Sequence, residues 1–129
     1  MFTDIVGYSR MIDRDESHAL KLLDEHNAII NKSIKKHNGK IIKLIGDSVF
    51  AEFDSPIECA FAAIHIQSSF NKRNELSQKN DRIEIRIGLH YGQVVVKDDD
   101  LFGNDVNMCS RFEGVAPPGG ISTTSAIAK

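Results

Sequence analysis

The sequence lacks several features that would assign it to a membrane or nucleic-acid-binding class. No signal peptide is visible, and no apolar run approaches the roughly 20 residues of a membrane-spanning helix. With 18 acidic and 16 basic residues, the net charge is −2, so no basic excess favours nucleic acid or an anionic membrane as a partner. These absences predict a cytoplasmic protein, or the cytosolic domain of a larger protein whose membrane contacts lie outside this chain.

Cysteine is also scarce. Cys59 and Cys109 are the two cysteines, and each lies in an apolar helical pattern. We therefore expect buried thiols in a reducing compartment rather than a disulfide. The 129 residues are enough for one domain with a real core. Because an apolar strand begins at Phe2 and a new segment begins at Ile121, we expect one domain over residues 1–129 that is truncated at both ends.

Two aspartates interrupt apolar segments at turns. Residues 40–53, KIIKLIGDSVFAEF, place Asp47 in a turn between two apolar runs, which is the pattern of a β-hairpin. Near the amino end, Asp4 breaks an apolar strand that Gly7 ends. A solvated turn accounts for each aspartate separately. If the two lie close together, they are hard oxygen ligands suited to a cation such as Mg²⁺.

Two helices are predicted from apolar spacing and from capping residues, with Asp13 and Asp15 as candidate caps of the first. The first runs from about Glu16 to His37, and His26 in its apolar stripe is expected to be a packed core residue rather than a ligand. The second begins with the capping box of residues 55–58 and continues to about Ser77. The residues expected on its inward face are Ile57, Ala60, Phe61, Ile64, Gln67 and Ser68.

The remaining segments complete the predicted order β-α-β-β-α-β-β-α-β. Residues 83–90 alternate apolar and polar side chains like a half-buried strand, residues 93–96 form another, and the three aspartates at 98–100 indicate a loop. A last helix is expected to end near Ala116, with Asn107 and Arg111 together on its polar side. That pair is either solvated surface or a clamp for phosphate oxygens. The order predicts an α+β fold with an antiparallel-rich sheet covered by helices.

Four blocks occur in order along almost the whole chain: FTDIVGYS, KLIGDSVFAEF, IRIGLHYG and DLFGNDVNMCSRFEGVAPPGGI. Together they resemble the class III nucleotidyl cyclase catalytic domain, the adenylate and guanylate cyclase family. The resemblance implies a ferredoxin-like cyclase fold. It also implies a head-to-tail homodimer in which both subunits contribute to each active site.

The resemblance further implies a role for individual residues. Asp4, Asp47 and the carbonyl of Ile5 would hold two divalent ions per site, Mg²⁺ or Mn²⁺. The triphosphate would be bound by Arg86 and by the backbone amides of Gly7, Tyr8 and Ser9. From the partner subunit, Asn107 would orient the ribose and Arg111 would stabilise charge on the phosphate, while the base would be read by Lys43 and Asp100.

The chemistry of Lys43 and Asp100 favours ATP as the substrate. Lysine only donates hydrogen bonds and an ionised aspartate only accepts them, which matches N1 and the 6-amino group of adenine. Guanine reverses both groups. The resulting prediction is an adenylate cyclase that binds ATP and makes cyclic AMP. Two alternatives remain: a guanylate or relaxed-specificity cyclase, and a non-catalytic nucleotide-binding or dimerisation module.

Overall fold

Local sequence signals set most element boundaries in the computed structural model, which describes residues 1–90, 95–97, 100–102 and 119–123. The helices are α1 (Tyr8–Arg14), α2 (Glu16–Lys36) and α3 (Pro56–Glu75), followed by a short 3₁₀ turn at Lys79–Asp81. The strands are β1 (Phe2–Ile5), β2 (Gly39–Ile45), β3 (Ser48–Phe53), β4 (Ile85–Leu89), β5 (Val95–Lys97), β6 (Asp100–Phe102) and β7 (Ile121–Thr123).

The main sheet has the strand order β2-β3-β1-β4-β7. All neighbours are antiparallel except β4 and β7, which run parallel, and β5 pairs with β6 in a separate antiparallel hairpin. The predicted α+β fold with an antiparallel-rich sheet is therefore confirmed. Among the described residues, no helix has the length and apolar character needed to cross a membrane.

The strand register determines which residues share a face of the sheet. Thr3 of β1 lies opposite Val49 of β3 and Ile87 of β4, and all three are almost fully buried. This face packs against α2 and α3 in a single core; the contributors from the helices include Ile30, Ile34, Ile66 and Phe70. Because side chains alternate along a strand, Phe2, Asp4, Phe50 and Arg86 lie on the opposite side. We call that side the outer face.

Helix caps confirm two of the predicted starts. The Asp15 side chain accepts a hydrogen bond from the amide of His18 at 3.1 Å and begins α2. The Ser55 hydroxyl accepts one from the amide of Glu58 at 3.3 Å and begins α3, with proline in the first turn. His26 is completely buried, with its ring 5.8 Å from that of Phe70, so its prediction as a core residue is also confirmed.

The predicted inward face of α3 was wrong except at Gln67, which is buried as expected. Ile57, Phe61 and Ile64 are 66%, 54% and 58% exposed, Ala60 is only half-buried and Ser68 is exposed. The residues that this helix buries are Cys59, Ala62, Ala63, Ile66, Gln67 and Phe70. Both sets recur at helical spacing, and two residues correspond to about 200° around a helix, so they lie on nearly opposite sides. The buried side carries two alanines, whose small side chains allow close packing.

Four other features differ from the sequence predictions. Helix α1 (Tyr8–Arg14) was not predicted, β4 begins at Ile85 rather than residue 83, and the strand expected at 93–96 is β5, Val95–Lys97. Asp100 belongs to β6, opposite Lys97, and not to a loop. Cys59 is buried as expected. Cys109 and the helix predicted to end near Ala116 lie outside the described residues.

Candidate active site

Asp47 is brought to the end of β1 by the β2–β3 hairpin. The pairs Phe2–Phe50 and Thr3–Val49 set a register that, continued by two residues, places Ile5 opposite Asp47. There the Asp47 side chain replaces a backbone partner, because its Oδ2 accepts a hydrogen bond from the amide of Ile5 at 2.8 Å. Gly46 precedes it with φ of 58°, a conformation that glycine adopts readily. The turn carboxylate is thereby fixed beside the strand that bears Asp4.

Asp4 forms a two-point ion pair with Arg86 on the outer face. The two residues lie directly opposite each other on β1 and β4. Arg86 donates from Nε to Asp4 Oδ1 at 3.1 Å and from Nη2 to Oδ2 at 2.9 Å. Both side chains are partly shielded, with exposures of 33% for Arg86 and 18% for Asp4. Fork-to-fork pairing of this kind is among the stronger polar interactions in proteins.

Lys43 reaches the outer face because β2 contains a bulge. Ile41 pairs with Ala51, but Lys43 pairs with Phe50, so Ile42 is an extra residue in the ladder. Phe50 packs edge-on against Phe2, with ring centroids 4.9 Å apart, on the outer face. Without the extra residue, Lys43 would lie two positions after Ile41 on a regular strand and would point to the helix side, as Ile41 does. The next residue does so, since Leu44 pairs with Val49 and lines a small pocket beside α2.

The segment after β1 changes direction at Gly7, whose φ is 72°. Its carbonyl accepts hydrogen bonds from the amides of Arg10 and Met11 at 3.1 and 3.2 Å and so begins α1. Gly7 and Ser9 are exposed, whereas Tyr8 is half-buried. Burial, followed by the charge of the Asp47 carboxylate, raises the pKa of Tyr8 above its ordinary value. The predicted phosphate-binding segment begins two residues after Ile5, whose amide donates to Asp47, and so lies close to the Asp47 turn.

The structure describes the other predicted site residues only in part. The backbone of Asp100 lies in β6, opposite Lys97, and β6 contacts β2, the strand of Lys43. Asn107 and Arg111 lie outside the described residues. The structure therefore gathers Asp4, Asp47 and Ile5 at one end of β1. It places Arg86 and Lys43 on the outer face of the sheet, where Asp4 also lies.

A comparison with known protein families identifies the chain. The model of the family described as "Adenylate and Guanylate cyclase catalytic domain" matches residues 1–129. The chain belongs to this family. A crystal structure of an adenylate/guanylate cyclase/hydrolase from Silicibacter pomeroyi is 33% identical and superposes with a TM-score of 0.83 over 97% of this chain and 73% of that one. The ferredoxin-like cyclase fold implied by the sequence is thereby confirmed.

Two curated relatives carry adenylate cyclase names. An adenylate cyclase of Anabaena cylindrica is 35% identical over 132 residues, covering 89% of this chain and 26% of that protein. A protein of Rhizobium meliloti (strain 1021) named "Putative adenylate cyclase 3" is 34% identical over 126 residues, covering 96% of this chain and 21% of that protein. This cyclase domain spans about a fifth to a quarter of the length of these two relatives.

The oxygen donors of this cyclase domain suit a hard divalent cation. No group of three or more His, Cys, Asp or Glu side chains within the described ranges is arranged to hold a metal ion. Mg²⁺ nevertheless commonly binds proteins through one or two carboxylates and completes its shell with water and substrate phosphates. Asp4, Asp47 and the carbonyl of Ile5 provide that type of donor set. The cyclase family in general uses divalent metal ions, and these residues fit such a role.

Two features of the site were missed by reasoning from the sequence. Asp4 and Arg86 are 82 positions apart in the sequence, and their pairing depends on the register of β1 against β4, which no local pattern reveals. The bulge at Ile42 likewise depends on how β2 meets β3. The one available signal was the pair of adjacent isoleucines, Ile41 and Ile42, which breaks the alternation expected of a half-buried strand.

Proposed function

We propose that this cyclase domain is an adenylate cyclase, which converts ATP to 3′,5′-cyclic AMP and pyrophosphate. The observation that carries the proposal is the 2.8 Å hydrogen bond between Asp47 and the amide of Ile5, which brings both carboxylates to the end of β1. Asp4, Asp47 and the Ile5 carbonyl would hold two divalent ions, Mg²⁺ or Mn²⁺, whose charge would assist both attack by the ribose 3′-oxygen and departure of pyrophosphate. The adenylate cyclase names of two relatives support the choice of reaction.

The residues of the chain would bind and orient the nucleotide. The backbone amides of Gly7, Tyr8 and Ser9 would contact the triphosphate together with Arg86. Asn107 would hold the ribose so that its 3′-oxygen faces the α-phosphorus. Arg111 would donate a fixed fork of N–H groups to the phosphoryl oxygens as charge develops. Loss of a donor of this kind typically costs about 3–4 kcal/mol of transition-state stabilisation.

Base selection would come from Lys43 and Asp100. Lys43 would donate to N1 of adenine, and Asp100 would accept from the 6-amino group. The bulge at Ile42 supports this role for Lys43, because it directs the side chain to the outer face rather than toward α2. Guanine would present a donor to the lysine and an acceptor to the aspartate. The mismatch leaves polar groups unpaired, at a cost of roughly 1–3 kcal/mol each.

Each active site would be shared across a head-to-tail homodimer. One subunit would contribute Asp4 and Asp47, and its partner would contribute Lys43, Asn107 and Arg111. The presence of Asp4, Arg86 and Lys43 on one sheet face supports this assembly, because two subunits that meet through their outer faces would bring both sets of residues together. No nucleic acid takes part in the proposed reaction.

Rates on ATP and GTP, measured in Mg²⁺ and in Mn²⁺, test the proposal. We expect the wild type to prefer ATP, and Lys43→Glu with Asp100→Cys to shift the ratio of kcat/KM values toward GTP by about tenfold or more. Lys40→Glu changes an exposed lysine of the same strand and is the control. Equal wild-type rates on both nucleotides would favour a relaxed-specificity cyclase. Binding of nucleotide without turnover would favour a non-catalytic module.

A further inference from the structure

The Asp4–Arg86 ion pair occupies two groups that the proposed reaction needs elsewhere. Asp4 must offer a carboxylate oxygen to a cation, yet both of its oxygens accept hydrogen bonds from Arg86 at 3.1 and 2.9 Å. Arg86 must offer N–H groups to the triphosphate, yet Nε and Nη2 are directed at Asp4. The ion pair therefore joins the proposed cation ligand to the proposed phosphate donor.

Because of its position, the ion pair is costly to break unless Asp4 and Arg86 each gain a new partner. Asp4 and Arg86 lie opposite each other on adjacent strands, and their backbones are held by the β1–β4 ladder. Asp4 is 18% exposed, so water alone would solvate the separated carboxylate poorly. A cation that approaches Asp4 also meets the positive charge of Arg86. A phosphate that approaches Arg86 meets the negative charge of Asp4.

We propose that the Asp4–Arg86 pair blocks both binding events in the empty site and so couples them. Cation binding at Asp4 releases Arg86 for the triphosphate, and triphosphate binding at Arg86 releases Asp4 for the cation. Each ligand thus raises the affinity of the site for the other, beyond any direct contact between cation and phosphate. This inference rests on the proposed roles of Asp4 and Arg86, but it assigns to their contact a function that neither role contains.

Two reciprocal binding measurements on the full chain test the coupling without turnover. In the first, Mn²⁺ binding without nucleotide is followed by the electron paramagnetic resonance signal of free Mn²⁺. Arg86→Gln removes the competing charge and should tighten Mn²⁺ binding by about tenfold or more. Lys43→Gln removes a cation from the same face but leaves the ion pair in place, and it should have a much smaller effect.

In the second measurement, binding of 3′-deoxy-ATP, which lacks the attacking oxygen, is followed by calorimetry in EDTA. Asp4→Asn should tighten this metal-free binding by about tenfold, although it removes a proposed metal ligand. Asp47→Asn removes a nearby carboxylate that is not paired with Arg86 and measures the general effect of charge. In the double variant with Arg86→Gln, Asp4→Asn should give no gain beyond that general effect.

The outcomes separate this inference from the proposed function. If Arg86→Gln leaves Mn²⁺ affinity unchanged or weakens it, or if Asp4→Asn gives no larger gain than Asp47→Asn, the coupling is refuted. The same holds if Asp4→Asn gives an equal gain with and without Arg86. If Asp4→Asn fails to weaken Mn²⁺ binding in the Arg86→Gln background, the metal assignment itself fails. Should Arg86→Gln not fold, the comparison of Asp4→Asn with Asp47→Asn still decides the coupling.

Discussion

Asp47 offers the sharpest test of the site, because its carboxylate combines a structural hydrogen bond with a proposed catalytic role. Its Oδ2 accepts the amide hydrogen of Ile5 at 2.8 Å, and Ile5 is only 4% exposed. Asp47→Ala would leave this amide without a partner in a place that water reaches poorly. An unsatisfied buried donor costs about 1–3 kcal/mol in the free energy of unfolding. Asp47→Asn keeps a side-chain oxygen at the same position and should cost about 1 kcal/mol or less.

Both substitutions should abolish catalysis, since neither side chain carries the negative charge proposed to bind a cation. We expect the rate of cyclic AMP formation to fall by about a hundredfold or more in each variant. Urea denaturation measures stability, and a coupled pyrophosphate assay measures turnover. Asp54→Asn alters an exposed carboxylate just after β3 and should change neither property, with stability within about 0.5 kcal/mol of wild type.

The two measurements refute different parts of the reasoning. A near-normal rate with normal metal dependence in Asp47→Asn would show that Asp47 is not a metal ligand. Wild-type stability in Asp47→Ala would show that the contact with Ile5 does not hold the hairpin turn against β1. If both variants lose the same stability, the negative charge rather than the hydrogen-bond acceptor stabilises the fold.

Three further predictions concern assembly, packing and pH. Mixing inactive Asp47→Asn with inactive Arg111→Ala should restore activity, because one of the two sites in a shared-site heterodimer carries neither change; inactive mixtures in which heterodimers form would contradict shared sites. Ile66→Ala should lower the free energy of unfolding by about 2–5 kcal/mol because Ile66 is completely buried. Phe61→Ala should lower it by under about 1 kcal/mol in the same urea titration, because Phe61 is exposed. Similar losses in the two variants would show that Phe61 is packed in the core. Burial lowers the pKa of His26 below 6.5, so the unfolded chain binds the proton more readily than the folded protein. The contribution of neutral His26 to stability should therefore be complete above about pH 6.5 and decline at lower pH. His26→Gln should flatten the pH dependence of the urea midpoint measured from pH 5 to 8.

Much of the fold follows from local sequence signals. The cap at Asp15, the capping box at residues 55–58 and the apolar periodicity of α2 predicted both long helices to within a few residues. The turn at Gly46 and Asp47 predicted the hairpin. Such signals work because caps, turns and amphipathic stripes depend on residues close together in sequence. The four family blocks added the identity of the domain and named the candidate site residues.

What the sequence left undecided was which groups meet across the fold. Helix α3 has apolar residues on two sides, and only its packing against α2 and the sheet selected the side with Ala62, Ala63 and Ile66. Local periodicity cannot make that choice, since both stripes have the same spacing. The contact of Asp47 with Ile5, the pairing of Asp4 with Arg86 and the bulge that directs Lys43 to the outer face all depend on strand register. Register is set by pairing between distant segments, so the sequence determined the residues of the candidate site while the tertiary structure decided their contacts.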